Sequence, residues 1–310
     1  MPNDIEIELS IVATIYFGEK CVAELVNAIL QAVQPMGCTY EIILVDDRSG
    51  DDSWSRIREQ ASQFSEVKGL RLSRNFGQQI AMSAGIHHAR GKYVVIMDGD
   101  LQNPPEAIPL LYQKVKSDFD IIYTVSKVRN NFADETTSSV FWFILRKFLG
   151  VKIIPNQLMM KIMTARLARH YRSYQEIHRT VSGIVHDLGF KDAVLEIDNK
   201  RRLSGKSSYG FFKRFNLMVD IIISMSNGPL NFMIYLGGVV FFITLVLIIT
   251  YTVLFFVSDV PAGYTSLILS IFFFGSLIVM MLGFIGRYIS NIYSEVRRRP
   301  LFIEDEKINL

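Results

Sequence analysis

The sequence predicts an α/β fold built on a mostly parallel sheet, followed by an interfacial amphipathic helix and a two-helix transmembrane hairpin. Three observations carry this expectation. Up to about residue 125, short apolar runs alternate with helical stretches, the pattern of successive βαβ units. One of these runs, residues 93–97, is rich in β-branched residues and stops at Asp98-Gly99-Asp100, so two carboxylates stand at a strand C-terminus, the edge where open α/β sheets bind ligands. Finally, residues 230–257 and 263–286 carry no charged side chain over 28 and 24 positions. At ~1.5 Å per residue each is long enough for a ~30 Å hydrocarbon core.

The strands are expected at 9–15, 40–46, 69–73, 93–98 and 120–124, with helices between them. Residues 19–33 place Val22, Leu25, Val26, Ile29, Leu30 and Val33 on one helical stripe, suited to covering a sheet face. Residues 52–64 open with acidic side chains, which favour the positive end of a helix. The second strand ends in Asp46-Asp47-Arg48-Ser49-Gly50. A carboxylate there accepts hydrogen bonds from a nucleobase imide or ribose hydroxyls, while one of the pair is also suited to capping the next helix. Residues 72–91 enter a small-residue helix through Gly77, which permits close approach of backbone to a ligand. His87 and His88 have no acidic partner at ligand spacing and are expected to pack or lie at the surface.

Around Asp98 and Asp100 the residue chemistry points to a hard cation. Gly99 lets the backbone turn sharply, so both carboxylates face one ion that keeps its other positions for phosphate oxygens and water. With Gln102 and Pro104-Pro105-Glu106 following, the chain resembles the family 2 glycosyltransferases of the GT-A fold, in which Asp-x-Asp before Gln-x-Pro-Pro-Glu binds a metal and a sugar nucleotide. The resemblance implies a Rossmann-like nucleotide-sugar domain with Mg²⁺ or Mn²⁺ held by Asp98, Asp100 and Gln102. It also implies donor contacts from Thr14, Tyr16, Glu19, Asp46, Asp47, Asn75, Gly77 and Asp98, with Asp98 and Asp100 the catalytic pair. Three departures stand out. Residues 14–19 resemble a Pro-x-Tyr-Asn-Glu-Glu loop but hold Thr14 for the proline and Phe17-Gly18 for Asn-Glu. Of two arginines usual after the fifth strand, only Arg129 is matched, with Lys127 beside it. Where many relatives have Asp-Phe-Arg-Leu-Met, this chain has Met159 at the aspartate and Lys161 at the arginine.

A second cluster, residues 199–209, sets four cations, Gly205 and several hydroxyls within eleven residues, a good oxyanion clamp. Its Arg202, Gly205, Ser207 and Tyr209 match the Arg-x-x-Gly-x-Ser-x-Tyr element of polyprenyl-phosphate glycosyltransferases. That resemblance implies sugar transfer, with inversion, from a nucleotide-diphosphate sugar to undecaprenyl phosphate, for surface polysaccharide or lipopolysaccharide modification. Arg129, Arg202, Lys206 and Ser207 are the candidates for the acceptor phosphate.

Residues 209–225 then carry Phe211, Phe212, Phe215, Leu217, Met218, Ile221 and Ile222 beside Lys213 and Arg214, as an interfacial helix does. Lysines and arginines flank both apolar runs, and only 258–262 lie between them, so the positive-inside rule puts both flanks in the cytoplasm. The expected organisation is a cytoplasmic transferase domain (1–208), a juxtamembrane helix (209–228), two spans (within 229–290) and a basic cytoplasmic tail (291–310), in the inner membrane and in contact with its lipid. A net charge of +3 without basic runs interleaved with aromatics argues against nucleic acid. The two cysteines fit no metal-ligand pattern and read as free thiols. Two other classes remain open at this point: a processive polysaccharide synthase, disfavoured because this chain lacks the Gln-x-x-Arg-Trp element and further spans such an enzyme should show, and a non-catalytic membrane protein on a decayed transferase domain, disfavoured by Asp98 and Asp100. Homo-oligomerisation is left open.

Overall fold

Four parallel strands form the centre of one eight-stranded sheet. In the computed structural model, which describes residues 6–127, 154, 157–176, 181–198, 264–310 and five helical positions between 239 and 249, the first half of the chain alternates strand and helix. β1 (Leu9–Ile15), α1 (Val22–Val33), β2 (Tyr40–Asp46), α2 (Ser53–Gln63), β3 (Val67–Leu72), α3 (Gln78–His88), β4 (Tyr93–Asp98), α4 (Ile108–Val115) and β5 (Ile121–Ser126) follow in order. β6 (Gln157–Thr164), α5 (Ala165–Ser173), α6 (Val181–Leu188), β7 (Asp192–Ile197), the long α7 (Tyr264–Val296) and β8 (Glu304–Ile308) complete the chain. The strand order is β7-β5-β6-β4-β1-β2-β3-β8.

The central strands β3, β2, β1 and β4 run parallel, and β5 pairs parallel with β7. β6 inserts antiparallel between β4 and β5, and β8 adds antiparallel at the edge of β3. β1, β2 and β4 end where the sequence predicts. Both faces of β1 are buried, by α1 with Leu9, Ile11 and Ala13 on one side and by α3 with Val12 on the other. This two-sided cover is why these strands read as continuous apolar runs. α3 lies unusually close: a Cβ on Gly85 would sit 2.2 Å from Val12 Cγ1. At the N-terminal edge the buried Glu41 accepts from Ser10 Oγ (2.5 Å) and Arg90 N (2.7 Å) and pairs with Lys68 Nζ at 2.6 Å, which locks three strand starts.

Within the tail expected over 291–310, residues 304–308 form a sheet strand not anticipated from the sequence. Its charged side chains have specific partners: Asp305 with Arg48, Glu306 with Arg71 (3.2 Å) and Trp54 Nε1 (3.0 Å), and Glu304 with His88 Nε2 (2.5 Å). His88 thus has an acidic partner far along the chain, and the His87 ring packs on Phe302 at 6.0 Å, with burial holding its pKa below the usual imidazole value. The packing role expected for this pair holds.

The described residues fall into two compact units, one holding the whole sheet with β8, the other holding α7. α7 covers the second expected span and runs 33 residues, ~50 Å. Judged on the described side chains alone, no helix is long and apolar enough to cross a membrane. The juxtamembrane helix expected over 209–228 and the first expected span, apart from those five positions, lie outside the described residues, as do Arg129, Arg202, Lys206 and Ser207.

Candidate active site

The C-terminal ends of β1, β2 and β4 lie side by side, because parallel pairing brings Thr14 opposite Val45 on one side and Asp98 on the other. Asp98 ends β4 half-buried. Its Oδ1 accepts a short hydrogen bond from Gln78 Nε2, at the start of α3. Asp100 follows, half-buried, and its Oδ1 accepts from Gln102 N at 3.1 Å. Gln102 is therefore tied to the site through its backbone, as an Asx turn that shapes the loop.

Gly99 is required for a different reason from the one expected. Its φ is not left-handed; Leu101, at φ +60°, carries the turn. What excludes a side chain at 99 is β1. Gly99 N donates to Thr14 O at 3.1 Å, and a Cβ there would stand 2.7 Å from that oxygen and 2.3 Å from Ile15 Cδ1. The glycine draws the carboxylate turn against β1 and so against the neighbouring loop, 14–19.

On the β2 side the two acidic residues divide. Asp47 is buried and gives both oxygens to the loop after β3, accepting from Phe76 N and Gly77 N at 2.8 Å each. Burial pushes its pKa up, and those two N–H groups oppose the shift. It fixes Gly77, at φ +92°, where α3 begins. Asp46 is fully buried; Oδ1 accepts from Ser49 N at 3.0 Å, while Oδ2 and Arg71 Nε face one another at 3.4 Å without closing a hydrogen bond. Of the two, Asp46 is the one with an oxygen not taken by backbone. Glu19 accepts from Asp52 N at 3.3 Å and its own N–H donates to Asp51 at 3.2 Å, so it ties the first loop to α2. Tyr16 is 55% exposed. Asn75 enters the described contacts through its carbonyl, which accepts from Arg74 at 3.5 Å.

Sequence reasoning missed three groups here. Gln78 is one, legible only as the residue after Gly77. Phe17 is another, seen as a departure but given no role. The third is Lys161, which β6 places opposite Ile96, two residues before Asp98. Its side chain is buried, and Nζ donates to Ser182 Oγ at 3.2 Å, which also accepts from Gln157 at 3.0 Å. Burial lowers the Lys161 pKa to about 8 against the opposing pull of Asp98. Met159 packs against the core face formed with α3 and α5. Among the described residues no cluster of three or more His, Cys, Asp or Glu stands ready to hold a metal. The donor set is instead two carboxylates, the chemistry of a hard ion that shares its coordination with phosphate and water.

Comparison with known proteins places this geometry. The family described as "Glycosyl transferase family 2" matches residues 10–173. An uncharacterised glycosyltransferase of Synechocystis sp. is 33% identical over 302 residues, covering 96% of this chain and 94% of that one. The undecaprenyl-phosphate 4-deoxy-4-formamido-L-arabinose transferase of Shewanella sediminis is 31% identical over 302 residues, covering 95% and 90%. Among solved structures, the mannosyltransferase PcManGT of Pyrobaculum calidifontis, in complex with GDP-Man and Mn²⁺, superposes with a TM-score of 0.51 at 16% identity, over 72% of this chain and 67% of that one. The glucosyl-3-phosphoglycerate synthase of Mycobacterium tuberculosis, in complex with Mn²⁺, UDP and phosphoglyceric acid, gives 0.51 at 14% identity over 70% and 78%. At these identities the likeness is one of fold.

Proposed function

The chain belongs to glycosyl transferase family 2, and from that membership we propose that it transfers a sugar from a nucleotide-diphosphate donor to undecaprenyl phosphate at the cytoplasmic face of the inner membrane. The observation that carries the acceptor is the extent of the similarity. The family match stops at residue 173, whereas the relative named for undecaprenyl phosphate is similar over 95% of this chain, including the part that follows the transferase domain.

Asp98 and Asp100 fit Mg²⁺ or Mn²⁺, which when bound supplies positive charge to the departing diphosphate. Gln78 and the turn at Gln102 hold the two carboxylates in place before donor arrives. Asp46 is the proposed nucleoside contact at the end of β2, through the Oδ2 that backbone leaves untaken. The bond from the anomeric carbon to the diphosphate breaks as a phosphate oxygen of the acceptor bonds to that carbon. That oxygen is already ionised near neutral pH, so no strong general base is needed, which accords with the apolar Met159 where relatives have an acid. Arg129, Arg202, Lys206 and Ser207 are the proposed acceptor clamp, each cation held to phosphate by charge-assisted hydrogen bonds. The test is direct: purified protein given undecaprenyl phosphate and a panel of labelled nucleotide sugars should make one lipid-linked product. Labelled product from no donor, or elongating polymer in place of a single addition, sinks the reading.

The β8–β3 pairing supports the topology. Residues 69–72 and 304–308 share one sheet and therefore one side of the membrane, so any crossings between them are even in number. With two spans, a cysteine replacing Val260 should react with an impermeant maleimide from outside intact cells, and one replacing Arg299 only after lysis. Reaction of the Arg299→Cys protein in intact cells would refute the cytoplasmic assignment.

A further inference from the structure

Phe17 stands in a conformation its side chain disfavours and gains little burial in return. Its φ is +52°, a left-handed value that bulky residues rarely adopt, and its ring is 60% exposed. The residue that the resembled loop carries here, asparagine, tolerates this conformation. The surrounding structure over-determines the backbone: Phe17 N donates to Ser49 Oγ at 3.1 Å, and the next N–H, of Gly18, donates to Ser53 Oγ at 2.9 Å. The ring is turned over Gly50, where a Cβ would meet it at 3.4 Å. It stands edge to face with Tyr16, centroids 4.7 Å apart and planes at 82°. An exposed, mutually perpendicular aromatic pair thus stands between the end of β1 and the loop that follows Asp46, on a backbone fixed by Ser49 and Ser53. Packing does not account for it, since neither ring belongs to the core.

We propose that Phe17 joins Tyr16 to form an aromatic platform for the donor's nucleobase, making Phe17 a residue that sets how tightly the base is gripped. The inference rests on the nucleotide-sugar reading and deepens it. Flat bases stack on aromatic faces with little regard to their hydrogen-bonding edges.

The decisive variant is Phe17→Asn, because its two consequences point in opposite directions. Asparagine suits the left-handed backbone, so the thermal midpoint of the full-length detergent-solubilised protein should stay level or rise. Affinity for UDP and GDP, measured by calorimetry, should fall roughly tenfold, the scale of one lost stacking contact. Inorganic pyrophosphate, which has no base, should bind both proteins equally, and Phe17→Tyr should retain nucleotide affinity. A lowered midpoint with unchanged UDP and GDP affinity would make Phe17 structural. Unchanged nucleotide affinity with a raised KM for undecaprenyl phosphate would give the ring to the acceptor. If the wild-type protein bound pyrophosphate but discriminated no nucleotide from it, the platform would fail while the diphosphate site stood. If it bound neither, the donor reading itself would fall.

Discussion

Asp100→Ala should lower sugar transfer by about three orders of magnitude or more, the scale on which removing a group that stabilises developing charge is felt, while the fold survives. The two halves of that expectation come from different links. Asp100 is half-buried at a loop, and its hydrogen bond with Gln102 N at 3.1 Å is worth about 1 kcal/mol, so the loss in stability should be small beside the loss in rate. Its carboxylate is set against β1 by Gly99, and its loss leaves Asp98 as the one carboxylate of the proposed pair. Calorimetric titration with Mn²⁺ in the presence of UDP should show the ion's heat lost in the variant, independent of any turnover. Wild-type turnover by this variant, or undiminished activity of the wild type in excess chelator, would remove the metal from the mechanism.

How far the fold could be read depended on where each strand gets its stability. β1, β2 and β4 are buried on both faces, so their sequences carry apolar runs that end abruptly at polar residues, and both ends were legible. β6 is Gln-Leu-Met-Met-Lys-Ile-Met-Thr, short of β-branched residues, and its strand identity comes from pairing antiparallel with both β4 and β5. β8 is harder still. Glu-Asp-Glu-Lys-Ile has a composition that disfavours strands, and only the partners Arg48, Arg71, Trp54 and His88, more than two hundred residues earlier, make it one. Its charges also leave the outer edge of the sheet unattractive to another strand.

The site divides in the same way. That carboxylates stand at strand C-termini is a local fact, and the sequence contains it. Which carboxylate serves the ligand and which the scaffold is a long-range fact: Asp47 spends its oxygens on Phe76 and Gly77 across a loop, and nothing near position 47 announces this. Gly99 shows a subtler limit. A glycine between two ligands suggests a positive φ, but the constraint is the proximity of Thr14 and Ile15 from another strand.

Lys161→Met should raise stability near neutral pH by about 2 kcal/mol and lower activity. A buried ammonium is disfavoured in the fold, and its pKa of about 8 against 10.5 in the unfolded chain expresses that as about 3 kcal/mol. Methionine fills a similar volume without the charge, at the loss of one hydrogen bond to Ser182, about 1 kcal/mol. Because the folded pKa lies below the unfolded one, the penalty is complete below about pH 8. Between there and about 10.5 the unfolded chain holds more protons than the folded one, so wild-type stability rises with pH, and the variant's advantage falls through zero to a deficit of about 1 kcal/mol, that of the lost Ser182 hydrogen bond. Thermal unfolding of both proteins from pH 7 to 11 reads this crossing. The loss of activity has a separate cause: the cation lies toward Asp98, whose charge is what raises its pKa against burial. A destabilising lysine buried toward Asp98 is the pattern of a site that trades stability for function. A variant that was less stable by a pH-independent margin would instead make Lys161 a net structural tie between β6 and α6.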